Sequence, residues 1–301
     1  MTRHFLDIDD LSTDELSDVL DTATELKAAV EAGEQHEWLS NQTLGMLFEK
    51  PSTRTRISFE TGMTQLGGHA IFLGPDDIQL SRGEPLKDTS RAVSRYVDFL
   101  MARVFDHADL VELATYSDVP VVNGLTDDAH PCQTLADLLT IKEQFGGFDD
   151  VSVAWVGDGN NVAQSFVLGA AMVGLDVTVA TPEDYELDEA VVGTAAGLGQ
   201  APDITTDPQE AVAGADVVYT DVWVSMGQEN QRAMKLEAFD GFQLNETLLD
   251  DETLVMHCLP AHRGEEITDA VMESERSIVW QQAENRMHAQ KALLTFLADA
   301  E

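Results

Sequence analysis

The sequence predicts an α/β protein of two domains, each a parallel sheet flanked by helices. Two observations predict this class. Short apolar runs of strand length alternate along the chain with longer segments of helical period, as in parallel sheets with crossover helices. The alternation also starts afresh after the paired Gly146 and Gly147, and 301 residues is about the length of two domains.

The first half should open with a helix that ends at Gly33, because Ser12 and Glu15 form a capping box ahead of an apolar helical period. A strand, a helix, a strand, a polar loop and a helix should follow, at 44–48, 52–66, 70–74, 76–86 and 87–97. A buried strand, a helix and another strand then complete this half, at 99–104, 108–117 and 119–125.

The second half repeats the alternation after a connecting helix at 131–147. We expect a strand, a helix, a strand, a helix and two strands, at 151–157, 161–174, 176–182, 208–215, 216–223 and 254–260. The segment 225–235 is polar without apolar period, which predicts a loop. The predicted domains are therefore 1–130 and 148–280, with a final amphipathic helix, 281–301, that packs back onto the first domain.

The composition is strongly acidic. Fifty-five Asp and Glu residues oppose seventeen Lys and Arg residues, for a formal net charge of −38. Nucleic acid and anionic membranes would be repelled, so we expect neither as a partner. The acids are spread along the chain, and only six of the basic residues are lysines. Such a surface resembles those of halophilic proteins, in which high salt screens the self-repulsion.

The segment from Lys50 to Arg103 departs from this acidity. It holds eight of the seventeen bases and six acids, a balance of +2, so the remaining residues carry −40. An anion-binding role is the simplest reason for such a basic island.

The opening residues, the apolar runs and the two cysteines are typical of an intracellular protein. The opening residues, MTRHFLDIDD, lack the basic-then-apolar layout of a signal peptide, and the apolar run 166–175 is too short to span a bilayer. We therefore expect a cytoplasmic location. Cys132 and Cys258 lie far apart without a Cys-x-x-Cys pattern, which indicates neither a disulfide framework nor a zinc ribbon.

The most informative stretch of the basic island is FEKPSTRTRISFE, residues 48–60. A strand should end near Lys50 and a helix should begin after Ser52, a natural N-cap. The free amides of the first turn, the nearby hydroxyls and the fork of Arg54 would together bind a phosphate. The alternative is a basic, well-capped surface helix.

This stretch resembles the F-x-K-x-S-T-R-T-R motif of the aspartate and ornithine carbamoyltransferase family. The resemblance implies that four residues bind the phosphate of carbamoyl phosphate: Ser52, Thr53, Arg54 and Thr55. Arg103, His130 and Gln133 match the residues that contact the carbamoyl group, and Arg286 matches a further phosphate contact. Gln79 matches a loop residue that reaches a neighbouring subunit's substrate, which implies a homo-oligomer, a trimer or an assembly of trimers.

The second half carries the family's amino-acid contacts. In GDGNN, residues 157–161, the dinucleotide fingerprint is incomplete, and Asn161 matches the asparagine that holds ornithine. DVWVSMG supplies three further ornithine contacts, Asp221, Ser225 and Met226. The carboxylate of Asp221 would pair with the α-ammonium group.

HCLPAHRGEE, residues 257–266, favours the ornithine branch of the family. The resemblance makes Cys258 and Leu259 contacts of carbamoyl phosphate and makes the thiol a possible proton acceptor. A zinc site of His257, Cys258 and His262 is not expected, because adjacent strand residues point to opposite faces and no fourth ligand is nearby.

The resemblance implies transfer of the carbamoyl group from carbamoyl phosphate to the δ-amine of L-ornithine, giving L-citrulline and phosphate. The reverse reaction, as used in arginine catabolism, depends on the same motifs and stays open. The catalytic residues would be Arg54, Arg103, His130 and Cys258, with no metal or organic cofactor. Three alternatives stay open: a sister enzyme acting on putrescine, N-acylornithine or aspartate; a nucleotide-binding oxidoreductase built on GDGNN; and a carbamoyl-phosphate-binding scaffold without turnover.

Overall fold

A computed structural model describes residues 2–77 and 83–299. The strands in these ranges are β1 (Thr43–Phe48), β2 (His69–Leu73), β3 (Phe99–Arg103), β4 (Val121–Leu125), β5 (Ser152–Val156), β6 (Asp176–Ala180), β7 (Asp203–Thr205), β8 (Val217–Thr220) and β9 (Leu254–His257). The α-helices are α1 (Thr13–Glu31), α2 (Thr53–Gln65), α3 (Leu86–Val93), α4 (His107–Tyr116), α5 (Pro131–Phe145), α6 (Asn161–Val173), α7 (Glu189–Leu198), α8 (Pro208–Val212), α9 (Arg232–Ala238), α10 (Asp269–Met272) and α11 (Val279–Asp299).

The chain divides into two compact units. The first unit comprises Met1–Leu139 together with Asn285–Glu301, and the second comprises Thr140–Glu284. Each unit contains one wholly parallel sheet flanked by helices, so the predicted fold class is confirmed.

The first unit is built on a four-stranded sheet in the order β2-β1-β3-β4. Its register pairs Phe48 with Arg103, and Arg103 with Leu125. Three strands therefore end side by side at one edge. The residues that follow these strands are the beginning of α2, the segment after Arg103, and the segment that leads to His130.

The second unit has a five-stranded sheet in the order β7-β6-β5-β8-β9. The chain winds outward from β5 through β6 to β7, and then returns to β8 on the other side of β5. Strand order therefore reverses between β5 and β8, and parallel sheets bind ligands at the carboxyl ends of strands at such a switch point. The pairing of Thr220 with His257 puts Asp221 and Cys258 at this edge.

The cores of both units explain why the strands are readable in the sequence. Strands β1, β3, β4, β5 and β8 are almost entirely buried, and their near-continuous apolar runs are typical of parallel strands covered on both faces. The capping box predicted from Ser12 and Glu15 is formed at the start of α1, and Gly33 has a φ of 69° just after that helix.

Two elements between β6 and α8 were not predicted. Helix α7 is an Ala/Gly-rich segment in which Ala195 is buried, and β7 is a three-residue edge strand with largely exposed side chains. Helix α7 is apolar or small on nearly every side, and β7 has only three residues, so neither shows the alternation of apolar and polar positions that predicts a packed helix or strand.

The loop predicted at 225–235 is wrong at its carboxyl-terminal end, where α9 begins at Arg232. The residue that α9 buries in its interior is a lysine, Lys235, rather than an apolar side chain. An apolar period is therefore missing although the helix is packed. In the described part of the chain, no helix is long and apolar enough to cross a lipid bilayer.

Candidate active site

In the first unit the opening motif starts α2 at the carboxyl end of β1. Ser52 is the N-cap, and its Oγ accepts a hydrogen bond from the backbone N–H of Thr55 at 3.3 Å. Thr55 is buried, whereas Thr53 and Arg54 are exposed. The first turn of α2 thus offers amide groups, hydroxyls and one guanidinium group. All of them can donate hydrogen bonds to an anion.

Arg103 lies beside this helix start because of the sheet register. It is the last residue of β3, and its carbonyl oxygen accepts the backbone N–H of Glu49 at 2.9 Å. The segment between Phe48 and Ser52 is therefore held against the end of β3. The predicted neighbourhood of Arg103 and the opening motif follows from this pairing.

His130 is buried just before α5, in the field of several cations. Its pKa is lowered well below the usual value for histidine, first because the ring is buried and then because of the charges of Arg286, Arg103, Arg54 and Lys50. The imidazole is therefore neutral near pH 7 and keeps one N–H donor. The same positive field that repels a proton attracts an anion.

The low pKa of His130 predicts how stability depends on pH. Below about pH 6.5 this histidine is protonated in the unfolded chain. In the folded chain it is protonated only at a lower pH, so acid favours the unfolded state. The stability contributed here is present above the unfolded pKa and is lost as the pH falls. We expect His130→Asn to melt with a smaller loss of Tm between pH 8 and pH 5.5 than the parent protein, measured at constant KCl. Equal losses would contradict the buried, neutral state of His130.

Arg286 is fixed by a network that links α11, α5 and α2. Its Nη1 donates to Gln133 Oε1 at 2.6 Å, and its Nη2 donates to Thr55 Oγ1 at 3.3 Å. Gln133 in turn donates from Nε2 to Asp137 at 2.8 Å. Gln133 therefore orients Arg286 toward the start of α2, while its contact with the carbamoyl amide stays a prediction.

Lys50 belongs to the same cluster, although no role was assigned to it in the sequence analysis. Its side chain is buried, its ammonium group pairs with the carboxylate of Asp127, and it lies 4.4 Å from the centre of the Phe105 ring. A lysine at the end of a buried strand, inside a phosphate-binding motif, is the signal that could have identified it.

In the second unit, α6 begins at the turn that follows β5. Asn160 is the N-cap: its Oδ1 accepts the backbone N–H groups of Val162 and Ala163 at 3.0 and 3.2 Å. Its Nδ2 donates to Asp221 Oδ2 at 2.9 Å. Asn161 is the first helical residue and is half-buried, and its contact with ornithine stays a prediction. Asn160, which orients Asp221, was not identified from the sequence.

Asp221 is the centre of this second cluster. The residue is buried, and its Oδ1 accepts a hydrogen bond from the Cys258 thiol at 2.9 Å, so each carboxylate oxygen is held by one side chain. Further along, Ser225 is half-buried and Met226 is exposed. Neither of these two donors is a cationic side chain, so the site can accept a cationic group of a ligand beside Asp221.

The expectation that His257 and Cys258 point to opposite faces rests on a strand that continues through both residues. Strand β9 ends at His257, and the backbone turns immediately afterwards, with a φ of 60° at Leu259. As a result, ligand atoms of Asp221, His257 and Cys258 lie within 4.8 Å of one another. However, His257 Nδ1 accepts the N–H of Leu259 at 2.9 Å, and its Nε2 is 3.1 Å from Glu266. Both ring nitrogens are therefore engaged.

A second group of possible metal ligands is formed by His262, Glu265 and Glu266. Glu265 is paired with Arg232, and one oxygen of Glu266 accepts the backbone N–H of His262. These bonds compete with a metal ion for the carboxylates.

The GDGNN turn is packed against its own chain. A Cβ atom on Gly159 would lie 2.6 Å from the backbone of Glu186, and the Gly159 N–H donates to the carbonyl of Tyr185 at 2.9 Å. This glycine is therefore needed for close contact with the loop after β6. In a dinucleotide fingerprint, the space left by the missing side chain of this glycine would instead admit a pyrophosphate.

The two units thus collect most of the predicted residues into two clusters. The first unit brings together Ser52, Thr53, Arg54, Thr55, Arg103, His130, Gln133 and Arg286. The second unit holds Asn161, Asp221, Ser225, Met226, Cys258 and Leu259. Gln79 lies outside the described residues.

The fold and the first cluster define a two-domain α/β protein with a group of cationic side chains and hydrogen-bond donors at the carboxyl edge of a parallel sheet. Residues 3–143 match the carbamoyl-P binding domain of the aspartate/ornithine carbamoyltransferase family, and residues 149–297 match its Asp/Orn binding domain. The chain belongs to the aspartate/ornithine carbamoyltransferase family.

Individual relatives agree with this assignment. The chain is 68% identical over 297 residues to an ornithine carbamoyltransferase of Haloquadratum walsbyi, covering 98% of each chain. It is 51% identical to the solved ornithine carbamoyltransferase of Pyrococcus furiosus, with a TM-score of 0.93 over 97% of this chain and 96% of that one. The solved Thermus thermophilus ornithine carbamoyltransferase is 43% identical, with a TM-score of 0.89 over 99% of both chains.

Proposed function

We propose that this chain transfers the carbamoyl group of carbamoyl phosphate to the δ-amine of L-ornithine, giving L-citrulline and phosphate. The observation that carries the proposal is the gathering of Arg54, Arg103 and Arg286 around a neutral, buried His130 at the start of α2. Relatives at 68% and 53% identity, named ornithine carbamoyltransferase, support the choice of ornithine.

In the first unit, the phosphate is bound by the first turn of α2, from Ser52 to Thr55, and by Arg286. Arg103 and His130 donate hydrogen bonds to the carbonyl oxygen, which becomes an oxyanion as the carbon turns tetrahedral. A neutral histidine suits this role because it donates a hydrogen bond without adding a proton that would have to be removed. Arg54 stabilises the charge that develops on the departing phosphate.

In the second unit, Asp221 pairs with the α-ammonium group of ornithine, and Asn161, Ser225 and Met226 contact the rest of its amino-acid end. Cys258 and Leu259 lie at the end of β9 and contact carbamoyl phosphate. Because Cys258 already donates to Asp221, the thiol and the carboxylate form one hydrogen-bonded unit that can accept or relay a proton.

The reaction balances with the two substrates alone. The lone pair of the δ-amine forms the new C–N bond, the C–O bond to phosphate breaks with its electron pair, and the amine loses one proton. Phosphate is a good leaving group, so this chemistry calls for no organic cofactor. The δ-amine must be neutral to attack, which makes turnover rise on the alkaline side of neutrality.

Several finer points belong to the same proposal. The domains are 1–130 with 281–301 for carbamoyl phosphate and 148–280 for ornithine, joined by 131–147. The enzyme is cytoplasmic and a homo-oligomer, a trimer or an assembly of trimers, with Gln79 reaching a neighbouring subunit's substrate. It is adapted to high salt, as its net charge of −38 and its relative from Haloquadratum walsbyi suggest.

The direct test is citrulline formation from carbamoyl phosphate and L-ornithine, with aspartate, putrescine and N-acetylornithine assayed in parallel from low to multi-molar KCl. We expect turnover with ornithine, at least about tenfold above the other amines, and only at high salt. Turnover with another amine instead would transfer the proposal to a sister enzyme. Binding of NAD(P) without carbamoyl transfer would overturn it altogether.

A further inference from the structure

A buried ion pair lies beside the second cluster without belonging to it. The ammonium group of Lys235, in α9, pairs with the carboxylate of Asp158, in the turn after β5. Both residues are more than nine-tenths buried, at 3% and 8% exposure. Lys235 also lies 5.4 Å from the centre of the Tyr185 ring.

Asp158 belongs to a rigid part of the unit. Its carbonyl oxygen accepts the indole N–H of the buried Trp155 at 3.0 Å, and the next residue, Gly159, is in close contact with the backbone of Glu186. Burial raises the pKa of Asp158, and the nearby negative charge of Asp221 acts in the same direction, while Lys235 lowers it. The positive charge of Lys235 therefore balances the negative charge of the Asp158 carboxylate beside the second cluster.

Lys235 also holds the segment that carries two of the proposed ornithine contacts. Its Nζ donates to Gln228 Oε1 at 2.8 Å, and the backbone N–H of Gln228 donates to the carbonyl of Ser225 at 3.0 Å. The side chains of Met226, Glu229 and Asn230 are exposed. The position of this segment therefore depends strongly on the residues at its two ends.

The other end of the segment is fixed by aromatic packing. Trp223 is buried and stacks on Phe239 at 5.3 Å between ring centres, and Phe239 packs on Tyr185 at 4.9 Å. Residues 225–231 thus run between a stacked indole and a buried ammonium group.

We propose that Lys235 is a positioning residue for the amino-acid substrate. By joining Gln228 to Asp158, Lys235 holds Ser225 and Met226 in place. The inference rests on the proposed function, since it takes residues 225 and 226 as ornithine contacts. Buried ion pairs are commonly no more stabilising than apolar side chains of the same shape, so a geometric role gives this pair a reason that stability alone does not.

The first test is the kinetics of Lys235→Met, which keeps the aliphatic stem of the side chain and removes its three donors. We expect the KM for ornithine to rise by about 10- to 100-fold, the change that corresponds to losing one or two hydrogen bonds to charged groups. The KM for carbamoyl phosphate should stay within about twofold, because its proposed phosphate contacts lie in the other unit. Lys235→Arg should recover most of the loss.

Binding without turnover supplies an independent measurement. L-Norvaline is ornithine without the δ-amine, so it reports on the amino-acid end alone. Calorimetric titration of L-norvaline should show a weakening of about tenfold or more in Lys235→Met. Arg263→Met is the matched control, because it removes a cation from an exposed ion pair with Asp269 and Glu273 in the same unit. That variant should bind and turn over like the parent protein.

The double variant Lys235→Met/Asp158→Asn removes both charges and covers the case in which the single variant does not fold. If the double variant is folded by circular dichroism and still binds norvaline weakly, the geometric role is supported. Parent-like KM and norvaline affinity in either folded variant would overturn it. Failure of the parent protein to turn over ornithine would instead contradict the proposed function, and the kinetic comparison would then use the amine that it does accept.

Discussion

Replacing Arg54 by alanine should lower kcat by about two to three orders of magnitude while leaving the fold intact. Losing one donor of a preorganised oxyanion site has effects of this size. Arg54 is exposed in the first turn of α2, so its removal opens no cavity in the core. It also faces the same region as His130, whose pKa it lowers, so the phosphate would lose a charge from the centre of the cluster.

Arg56 provides the control for this experiment, because it lies two residues further along the same helix. Its guanidinium group pairs with Glu60 at 2.9 Å and lies 3.9 Å from the centre of the Phe72 ring. Surface pairs of this kind contribute about 0–1 kcal/mol to stability, so Arg56→Ala should retain near-parent kcat. Steady-state kinetics with both substrates, together with circular dichroism, would measure this. Equal losses in the two variants would mean that the anion site is misplaced.

The second large effect is expected for Asp221→Asn. This change keeps the shape of the side chain and removes its charge, so the proposed pairing with the α-ammonium group of ornithine is lost. It also puts an amide where the Cys258 thiol and Asn160 both donate, at 2.9 Å each. We expect the KM for ornithine to rise by about 100-fold or more, with a smaller change in the KM for carbamoyl phosphate.

A second aspartate of the same strand region serves for comparison. Asp216 lies just before β8, and accepts the backbone N–H and the hydroxyl of Ser152 at 2.8 and 2.9 Å. Asp216→Asn disturbs hydrogen bonds at the amino end of the sheet, away from the carboxyl edge, and should affect Tm more than KM. An unchanged ornithine KM in Asp221→Asn would remove this carboxylate from the proposed substrate contacts.

The elements that could be predicted from the sequence are those whose side chains are buried in a regular period. β1, β3 and β5 are apolar and covered on both faces, and α1 carries its own capping box. By contrast, α7 and β7 are largely exposed and lack that pattern. Helix α9 was missed because its buried residue, Lys235, is counted as polar in any periodicity.

The candidate site was predictable where one short motif contains several ligands, as in residues 52–55. It was less predictable where a role depends on contacts between distant residues. The bond from Asn160 to Asp221 spans 61 residues of sequence, and the pairing of Lys50 with Asp127 spans 77. Such pairs come together only through strand register, which a single sequence does not specify.

The burial of His130 among cations has a consequence for life in concentrated salt. At about 1 M salt the Debye length is about 3 Å, so charges on the acidic surface hardly interact beyond their nearest neighbours. Buried charges are screened much less, and the field that keeps His130 neutral comes partly from Lys50 and Arg286, both of which are buried. The protein therefore has a salt-sensitive exterior and a largely salt-insulated interior. A rise of cellular potassium to molar levels should therefore change the stability and solubility of the protein much more than its attraction for the anionic substrate.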